Sequence, residues 1–178
     1  MPTYIDIGSQ IGDEIAIAIE NGYEVHSFEP NPKHQPYLKK YEDKAKINYA
    51  AAWNYDGEID FYTNNNSPEK DVSSSVVTEN TNARGRVSIK VPCINIGRYL
   101  KELDRDIDIL KIDAEGAEYY IIESILDNFD HKRIKKWKVE DHEGYIIPGE
   151  WFSHRERVLN RIRDLGITIN EWENELLG

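Results

Sequence analysis

The feature that most constrains the fold is a regular alternation of short apolar runs with segments whose apolar residues recur at helical spacing. The run from Thr3 to Ile7 ends in the glycine-containing segment Gly8–Gly12. Ile15, Ala18 and Ile19 then recur as on one face of a helix. The same order of strand, turn and helix returns along the chain. It predicts a doubly wound α/β fold, in which a mostly parallel sheet of the Rossmann-like type carries helices on both faces.

The same patterns predict the later elements. Asp56-Gly57 after the third strand predicts an inserted β-hairpin. The polar segment Thr63–Arg86 is long for a structureless loop, and we interpret it as a lid candidate. The basic run Lys132–Lys136 is interpreted as a solvated turn. The predicted strands are Tyr23–Phe28, Ile47–Trp53, Glu58–Tyr62, Val87–Pro92, Ile107–Ile112, Trp137–Glu140 and Ile167–Ile169, and the predicted helices end at Tyr41, span Ile96–Leu103, begin at Glu115 and span His154–Leu165.

Length, charge and cysteine content narrow the class of protein. We expect one domain over residues 1–178, because this length is typical of a single domain with an ordinary core. The formal net charge of −11 disfavours nucleic acid and anionic membranes as partners. Cys93 is the single cysteine, and no apolar run is long enough to span a bilayer. We therefore expect a cytoplasmic protein without disulfides.

Two segments at predicted strand ends indicate a nucleotide-like cofactor. Small residues between Gly8 and Gly12 allow the backbone to approach a ligand closely. Glu29 ends the second strand, where a carboxylate can accept both ribose hydroxyls. The third glycine of a dinucleotide motif is missing, and Asp6 precedes the turn, where it would repel a pyrophosphate. A cationic cofactor without phosphates, S-adenosylmethionine, therefore fits better than NAD or ATP.

Four blocks follow one another in a distinctive order: Tyr4–Gly12, Phe28–Pro32, Ala51–Trp53 with Asp56-Gly57, and Leu110–Glu118. The last block contains the run Lys-x-Asp-x-Glu-Gly-x-Glu. Through these blocks the chain resembles the FkbM-type family of class I S-adenosylmethionine-dependent methyltransferases. The resemblance implies methyl transfer, typically to a hydroxyl oxygen of a sugar, polyketide or similar acceptor. It also implies cofactor contacts at the first two blocks.

The chain departs from the family pattern at two places. Ser9-Gln10 replaces the usual Ala-Asn, and Gly97 stands where the family commonly has Asp. The second departure removes a carboxylate and leaves a detail of the acceptor side open. The residues expected at the cofactor are Asp6, Gly8, Ser9, Gln10, Gly12, Glu29, Pro30 and Ala51.

The acceptor end is predicted at the end of the strand Ile107–Ile112. Methyl transfer to an alcohol is an in-line displacement that also removes a proton, so a base is expected there. Lys111 and Asp113 project to the same side. They are interpreted either as a structural ion pair or, for Asp113, as a group beside the transferred methyl. The carboxylates near Asp113 do not by their spacing dictate a metal site, and we expect none.

Three further polar residues are weighed at this end. Glu115, in the turn itself, is a site candidate. We interpret Glu118 as a partner of the helix dipole, because first turns often carry acids. Glu140 and His142 share one face at the end of the fifth strand, and His142 is a candidate base, since its proton affinity suits neutral pH. The predicted catalytic residues are therefore Asp113, Glu115 and His142.

The sequence thus predicts a metal-independent S-adenosylmethionine-dependent O-methyltransferase acting on a hydroxyl of a small molecule or glycan. Three alternatives remain open. They are a nicotinamide-dependent oxidoreductase, a non-catalytic adenosyl-binding partner subunit, and a methyltransferase that acts on nitrogen or carboxylate. A homodimer is also expected, because a second copy would cover exposed sheet.

Overall fold

The computed structural model describes residues 1–63, 67, 71, 73–80 and 86–171. The strands are β1 (Thr3–Ile7), β2 (Glu24–Phe28), β3 (Lys46–Asn48), β4 (Ala51–Trp53), β5 (Gly57–Thr63), β6 (Val87–Asn95), β7 (Ile107–Ile112), β8 (Ile134–Val139) and β9 (Ile169–Glu171). The helices are α1 (Asp13–Glu20), α2 (Gln35–Leu38), α3 (Ile96–Leu103), α4 (Glu118–Asn128) and α5 (Glu150–Asp164). Short 3-10 turns cover Lys39–Tyr41, His131–Arg133 and Glu143–Tyr145.

Six strands form a central sheet in the order β3-β2-β1-β7-β8-β9. Every neighbouring pair in it is parallel. The order reverses between β1 and β7, and in such sheets ligands bind beside the carboxyl ends of the strands at this point.

Alternating side chains of the central strands bury two apolar layers, because successive residues of a strand point to opposite faces. Ile5 and Leu110 belong to the larger core cluster, which includes residues of α3, α4 and α5. Tyr4 and Ile109 point the other way and pack with residues of α1 and α2. Helices therefore cover both faces, which confirms the predicted doubly wound α/β fold. None of the described helices has the length and apolar character needed to cross a bilayer.

The prediction of Ile47–Trp53 as one strand is wrong. β3 joins the central sheet, whereas β4 belongs to a separate three-stranded sheet of order β4-β6-β5. β4 pairs parallel with β6 and β5 pairs antiparallel with β6, so β4 and β5 are not neighbours. The hairpin predicted through Asp56-Gly57 is therefore also wrong. β5 does begin at Gly57, but its partner strand lies beyond the long polar segment.

Other boundaries differ more locally. The predicted elements Ile96–Leu103 and Ile107–Ile112 are confirmed at both ends. The interpretation of Lys132–Lys136 as a turn is wrong in its second half, because β8 begins at Ile134. A strand tolerates this charge, since exposed Lys135 pairs with Asp108 of neighbouring β7.

The starts of three later elements also differ from the predicted ones. α4 begins after Glu115, because Glu115 and Gly116 have positive φ angles of 52° and 103°. α5 begins at Glu150, before the predicted His154, and β9 begins at Ile169.

Gly97 owes its identity to helix packing. It lies in the first turn of α3, where a Cβ would stand 2.0 Å from the backbone oxygen of Ser124 in α4. No side chain fits at so close an approach. The missing carboxylate at this position is therefore a matter of packing, and Gly97 is not among the residues that line the cleft described below.

We expect Gly97→Ala to lower the free energy of unfolding by about 1 to 3 kcal/mol, the usual cost of overpacking a tight contact. Gly144→Ala is the matched control, because nothing lies within 4 Å of a Cβ built there. Urea unfolding followed by circular dichroism compares the two variants with the parent chain. Equal midpoints for all three would contradict the close approach of α3 and α4.

Candidate active site

The turn after β1 lies against the end of β7. Gly8 has a φ angle of +84°, and a Cβ there would stand 1.8 Å from the backbone oxygen of Asp113. Gly12, with φ +90°, begins α1, and a Cβ there would lie 2.7 Å from the ring of Tyr41. Both positions favour glycine, because other residues rarely adopt this backbone conformation. The close approach at Gly8 places the predicted cofactor turn beside the predicted acceptor end.

Glu29 joins the turns that follow β1 and β2. Its Oε2 accepts a hydrogen bond from the backbone N–H of Gln10 at 2.8 Å, and its Oε1 accepts one from that of Asn31 at 2.8 Å. Glu29 is only 4% exposed. The two amides therefore hold its carboxylate in a fixed orientation at the end of β2. Oε1 also lies 3.3 Å from Nδ1 of His34, whereas Oε2 retains a lone pair that can accept a further hydrogen bond.

A cleft that is partly open to solvent lies over the carboxyl ends of β1, β2 and β7. The cleft brings together most of the residues predicted for the site. Those that line it are Gly8, Gln10, Glu29, Pro30, Ala51, Asp113 and Glu115.

Three predicted cofactor residues and one predicted catalytic residue are not in the cleft lining. Asp6 is completely buried beneath the turn. The hydroxyl of Ser9 shares a hydrogen bond of 2.6 Å with that of Ser27, so it fastens the turn to β2. Gly12 packs against α2 and the 3-10 turn after it. His142 lies behind Glu115.

The ammonium group of Lys111 is buried between the two ends of the site. Its Nζ donates a hydrogen bond to the backbone oxygen of Gly8 at 2.7 Å and lies 3.2 Å from Asp6 and 3.5 Å from Asp113. Burial opposes its charge, but the carboxylates of Asp6, Asp113 and Glu14 outweigh burial and raise the pKa of Lys111 above its usual value. The predicted pairing of Lys111 with Asp113 is present, and Asp113 also lines the cleft.

Glu118 does more than accompany the helix dipole, and that interpretation is corrected. Its side chain is fully buried. Its carboxylate accepts hydrogen bonds from the backbone N–H groups of Ala114, at 3.0 Å, and Gly116, at 3.0 and 3.1 Å. It also lies 2.9 Å from Nδ1 of His142. One carboxylate therefore shapes the turn after β7 and fixes the imidazole that follows β8.

The other ring nitrogen of His142 faces three carboxylates. Nε2 lies 3.5 Å from Glu115, 3.8 Å from Glu140 and 3.9 Å from Asp113. Burial lowers the pKa of His142, but Glu118 and the other carboxylates outweigh it and raise the pKa to about 9. Burial raises the pKa of Glu115 to about 7. The structure thus brings the three predicted catalytic residues together.

The geometry of these strand ends can be compared with known proteins. The family model described as the methyltransferase FkbM domain matches residues 6–165. The chain belongs to the FkbM methyltransferase family. The match covers the first sequence block from Asp6 onward, the other three blocks in full, and both ends of the cleft.

A solved structure is also similar. It is described as the crystal structure of methyltransferase FkbM from Methylobacillus flagellatus KT, and it is 17% identical with a TM-score of 0.43. The alignment covers 69% of the present FkbM-family chain and 28% of the other chain, so the present chain spans less than a third of that protein's length. No curated protein matches.

The predicted lid of this FkbM-family chain, Thr63–Arg86, lies partly outside the described residues, which omit 64–66, 68–70, 72 and 81–85 within it. We call Asp71 together with residues 73–80 the strap. Asp71 is buried, and its carboxylate accepts hydrogen bonds from three side chains beyond the strap. These donors are Asn31 at 3.1 Å, Lys33 at 2.9 Å and Thr63 at 2.7 Å. Sequence reasoning missed Asp71, because nothing marks it among the polar residues around it.

The other end of the strap is fastened to the turn after β7. Ser75 Oγ and Asn80 Nδ2 both donate to the backbone oxygen of Glu115, at 2.7 and 2.8 Å. Asp71, Ser74, Ser75 and Val76 line the cleft. The strap therefore crosses from the turn after β2 to the turn after β7 and forms one wall of the site.

We expect Asp71→Asn to lower the free energy of unfolding at pH 7 by about 1 to 3 kcal/mol. The substitution removes the negative charge and replaces one acceptor oxygen by an NH₂ group, so the hydrogen bonds to this side chain become weaker. Burial opposes ionisation, but hydrogen bonds from Ser74, Thr63, Lys33 and Asn31 outweigh it and lower the pKa of Asp71 to about 2. The folded-state pKa is below the unfolded one, so this stability is present above about pH 4 and is lost as the pH falls towards 2.

Asp60→Asn is the control, because Asp60 pairs with Lys90 on the surface, where ion pairs contribute little. Urea midpoints measured for both variants between pH 7 and pH 3 test the prediction. The prediction would be contradicted if the urea midpoints of the two variants differed by the same amount at pH 7 and at pH 3.

Proposed function

We propose that this chain uses S-adenosylmethionine to methylate a hydroxyl oxygen of a small molecule or glycan. The observation that carries the proposal is the placement of Glu29. Its carboxylate is held by two backbone amides on the cleft wall, beside the Gly8 turn and across the crevice from Asp113.

The cleft offers different chemistry at its two ends, which suits an adenosyl cofactor. Glu29 would accept the ribose hydroxyls, as acidic residues at the end of a second strand do. The apolar residues Ala51, Ala52 and Phe61 line the part that would receive the adenine ring. Asp113 would lie towards the positively charged sulfonium, because a carboxylate stabilises a nearby cation. The backbone at Gly8 leaves room for the chain of the cofactor between these ends.

The reaction requires little covalent work from the protein. The acceptor oxygen attacks the methyl carbon, the bond between carbon and sulfur breaks, and S-adenosylhomocysteine leaves. Alignment of the three atoms supplies much of the acceleration. The hydroxyl proton passes to one of the carboxylates around His142, which are those of Asp113, Glu115 and Glu140.

The structure bears on two of the alternatives. Asp6 is paired with Lys111 below the turn, so it is not free to repel a pyrophosphate, and the case against NAD rests on the missing third glycine alone. The absence of the family's usual Asp at position 97 would favour a non-catalytic partner subunit only if that carboxylate had a role in the site. Packing between α3 and α4 accounts for Gly97, so this argument for a partner subunit falls away. The proximity of three candidate catalytic residues favours an enzyme.

We expect S-adenosylmethionine and S-adenosylhomocysteine to stabilise the protein, because a ligand at about 100 times its dissociation constant adds about 2.7 kcal/mol. For a chain of this size the melting temperature should rise by roughly 5 to 10 °C. Glu29→Gln should abolish the rise. Glu58→Gln, at an exposed carboxylate, is the control that should retain it. Thermal-shift titrations that include NAD and ATP make the measurement, and a rise with NAD alone would overturn the proposed cofactor.

We expect Asp113→Asn to lower the rate of methyl transfer by about 100-fold or more, the usual scale for loss of a group that handles a proton or orients reactants. Asp43→Asn, at an exposed carboxylate, should leave the rate unchanged. Transfer of a tritiated methyl group to panels of hydroxylated and amino compounds measures both. Methylation of amines alone, unaffected by Asp113→Asn, would exclude transfer to oxygen.

A further inference from the structure

We propose that Asp113, Glu115 and His142 together bind one divalent cation of the Mn²⁺ class. Each residue offers one ligand atom, and these atoms lie within 4.8 Å of one another. They come from the turn after β7 and the turn after β8. They therefore meet at the ends of neighbouring parallel strands.

The distances from Nε2 of His142 to the carboxylates of Glu115 and Asp113 fit a metal ion bound between these groups better than direct hydrogen bonds. The side chain of His142 is 5% exposed, and its Nε2 makes no hydrogen bond with any described residue. The nearest oxygens of Glu115 and Asp113 stand at 3.5 and 3.9 Å, beyond the range of N–H···O bonds. Ligand bonds of about 2.0 to 2.2 Å separate two ligands of one ion by roughly 3.0 to 3.6 Å. The separation of 3.5 Å between Nε2 and Glu115 lies within this range, and the separation of 3.9 Å between Nε2 and Asp113 is slightly longer.

The hydrogen bond from Nδ1 leaves Nε2 free to act as a ligand. Nδ1 lies 2.9 Å from Glu118, whose carboxylate can only accept, so Nδ1 carries an N–H. A metal ion that binds Nε2 displaces the proton held there, as metal binding to histidine does in general. Histidines that bind metals are commonly held in this way by an outer carboxylate. Glu118 is itself held by the N–H groups of Ala114 and Gly116, so the imidazole is oriented in advance.

The charge around the imidazole favours a cation. Asp113, Glu115, Glu118 and Glu140 all approach His142 within 4 Å. Lys111 lies 3.5 Å from Asp113 and also pairs with Asp6. Several carboxylates at such short distances repel one another, and a bound divalent ion relieves the repulsion.

The ligand types suggest which cation binds. Carboxylates suit Mg²⁺ and Mn²⁺, whereas imidazole suits transition metals, so one imidazole with two carboxylates favours Mn²⁺. Three protein ligands leave positions for water or substrate, as in catalytic metal sites. A bound Mn²⁺ replaces the expectation of a metal-independent protein.

The catalytic role of the ion rests on the proposed function, although its binding does not. An acceptor hydroxyl on the ion would be both oriented and made more acidic. Its proton would pass to Glu140, a partly exposed carboxylate beside His142 that is not a ligand. The oxygen would then attack the methyl group of S-adenosylmethionine, and S-adenosylhomocysteine would leave.

Electron paramagnetic resonance of Mn²⁺ tests the site without any acceptor. The protein is treated with EDTA, dialysed and titrated with MnCl₂, and the free six-line signal is recorded. We expect one bound Mn²⁺ per chain, with electron spin-echo modulation from a coordinated ¹⁴N that is lost in His142→Ala. Glu115→Gln should weaken binding by at least about 10-fold, and Glu118→Gln by about 10 to 100-fold as an outer partner.

Glu143→Gln is the matched control, because this neighbouring glutamate is half-exposed and pairs with Arg155. It should bind Mn²⁺ like the parent chain, and circular dichroism with melting curves should show that each variant is folded. No saturable binding by the parent, or equal binding by the parent, Glu115→Gln and His142→Ala, would overturn the proposal. Mn²⁺ binding without any response to S-adenosylmethionine would keep the metal site and reject the proposed function, and the reverse pattern would reject the metal site alone.

Discussion

The buried ammonium group of Lys111 holds the two ends of the site together. It contacts the backbone oxygen of Gly8 after β1 and the carboxylate of Asp113 after β7, and it pairs with Asp6 below them. A charge out of water is costly unless it is paired, and loss of one partner of a buried pair costs about 3 to 5 kcal/mol. Because these groups need one another, the turns that would hold cofactor and acceptor keep a fixed relation at the point where the strand order reverses.

Two buried carboxylates stabilise the turns themselves by accepting hydrogen bonds from backbone amides. Glu29 accepts from backbone amides of two loops, and Glu118 accepts from two amides of one turn and approaches His142. Each carboxylate therefore fixes the backbone conformation of the turn that it contacts. In the proposed reaction Glu29 also contacts the cofactor, whereas Glu118 acts only by positioning. The strap adds a third such carboxylate, Asp71, which fastens one wall of the cleft.

Much of this arrangement could be predicted from local patterns. Strand and helix periodicity indicated the parallel sheet, and strand ends marked Glu29, Asp113 and His142, because ligands bind there in such folds. The division between β3 and β4 could not be predicted, since one short apolar run does not reveal which sheet each half joins. The partner of β5 lies across a long polar segment, so the local turn signal at Asp56-Gly57 was misleading.

The roles of Glu118 and Asp71 depend on contacts between residues far apart in sequence. Glu118 has the pattern of an ordinary first-turn acid until the turn after β8 brings His142 to it. Asp71 receives donors from the turn after β2 and from the end of β5. The periodicity of the sequence does not indicate such long-range contacts, so they become apparent only in the folded structure.

A crystal structure with S-adenosylhomocysteine tests the proposed cofactor site most directly. We expect ribose hydroxyls within hydrogen-bonding distance of Glu29, the adenine ring beside Ala51 and Ala52, and the sulfur atom on the side of Asp113. A ligand bound elsewhere, or in the cleft with its ribose away from Glu29, would contradict this placement.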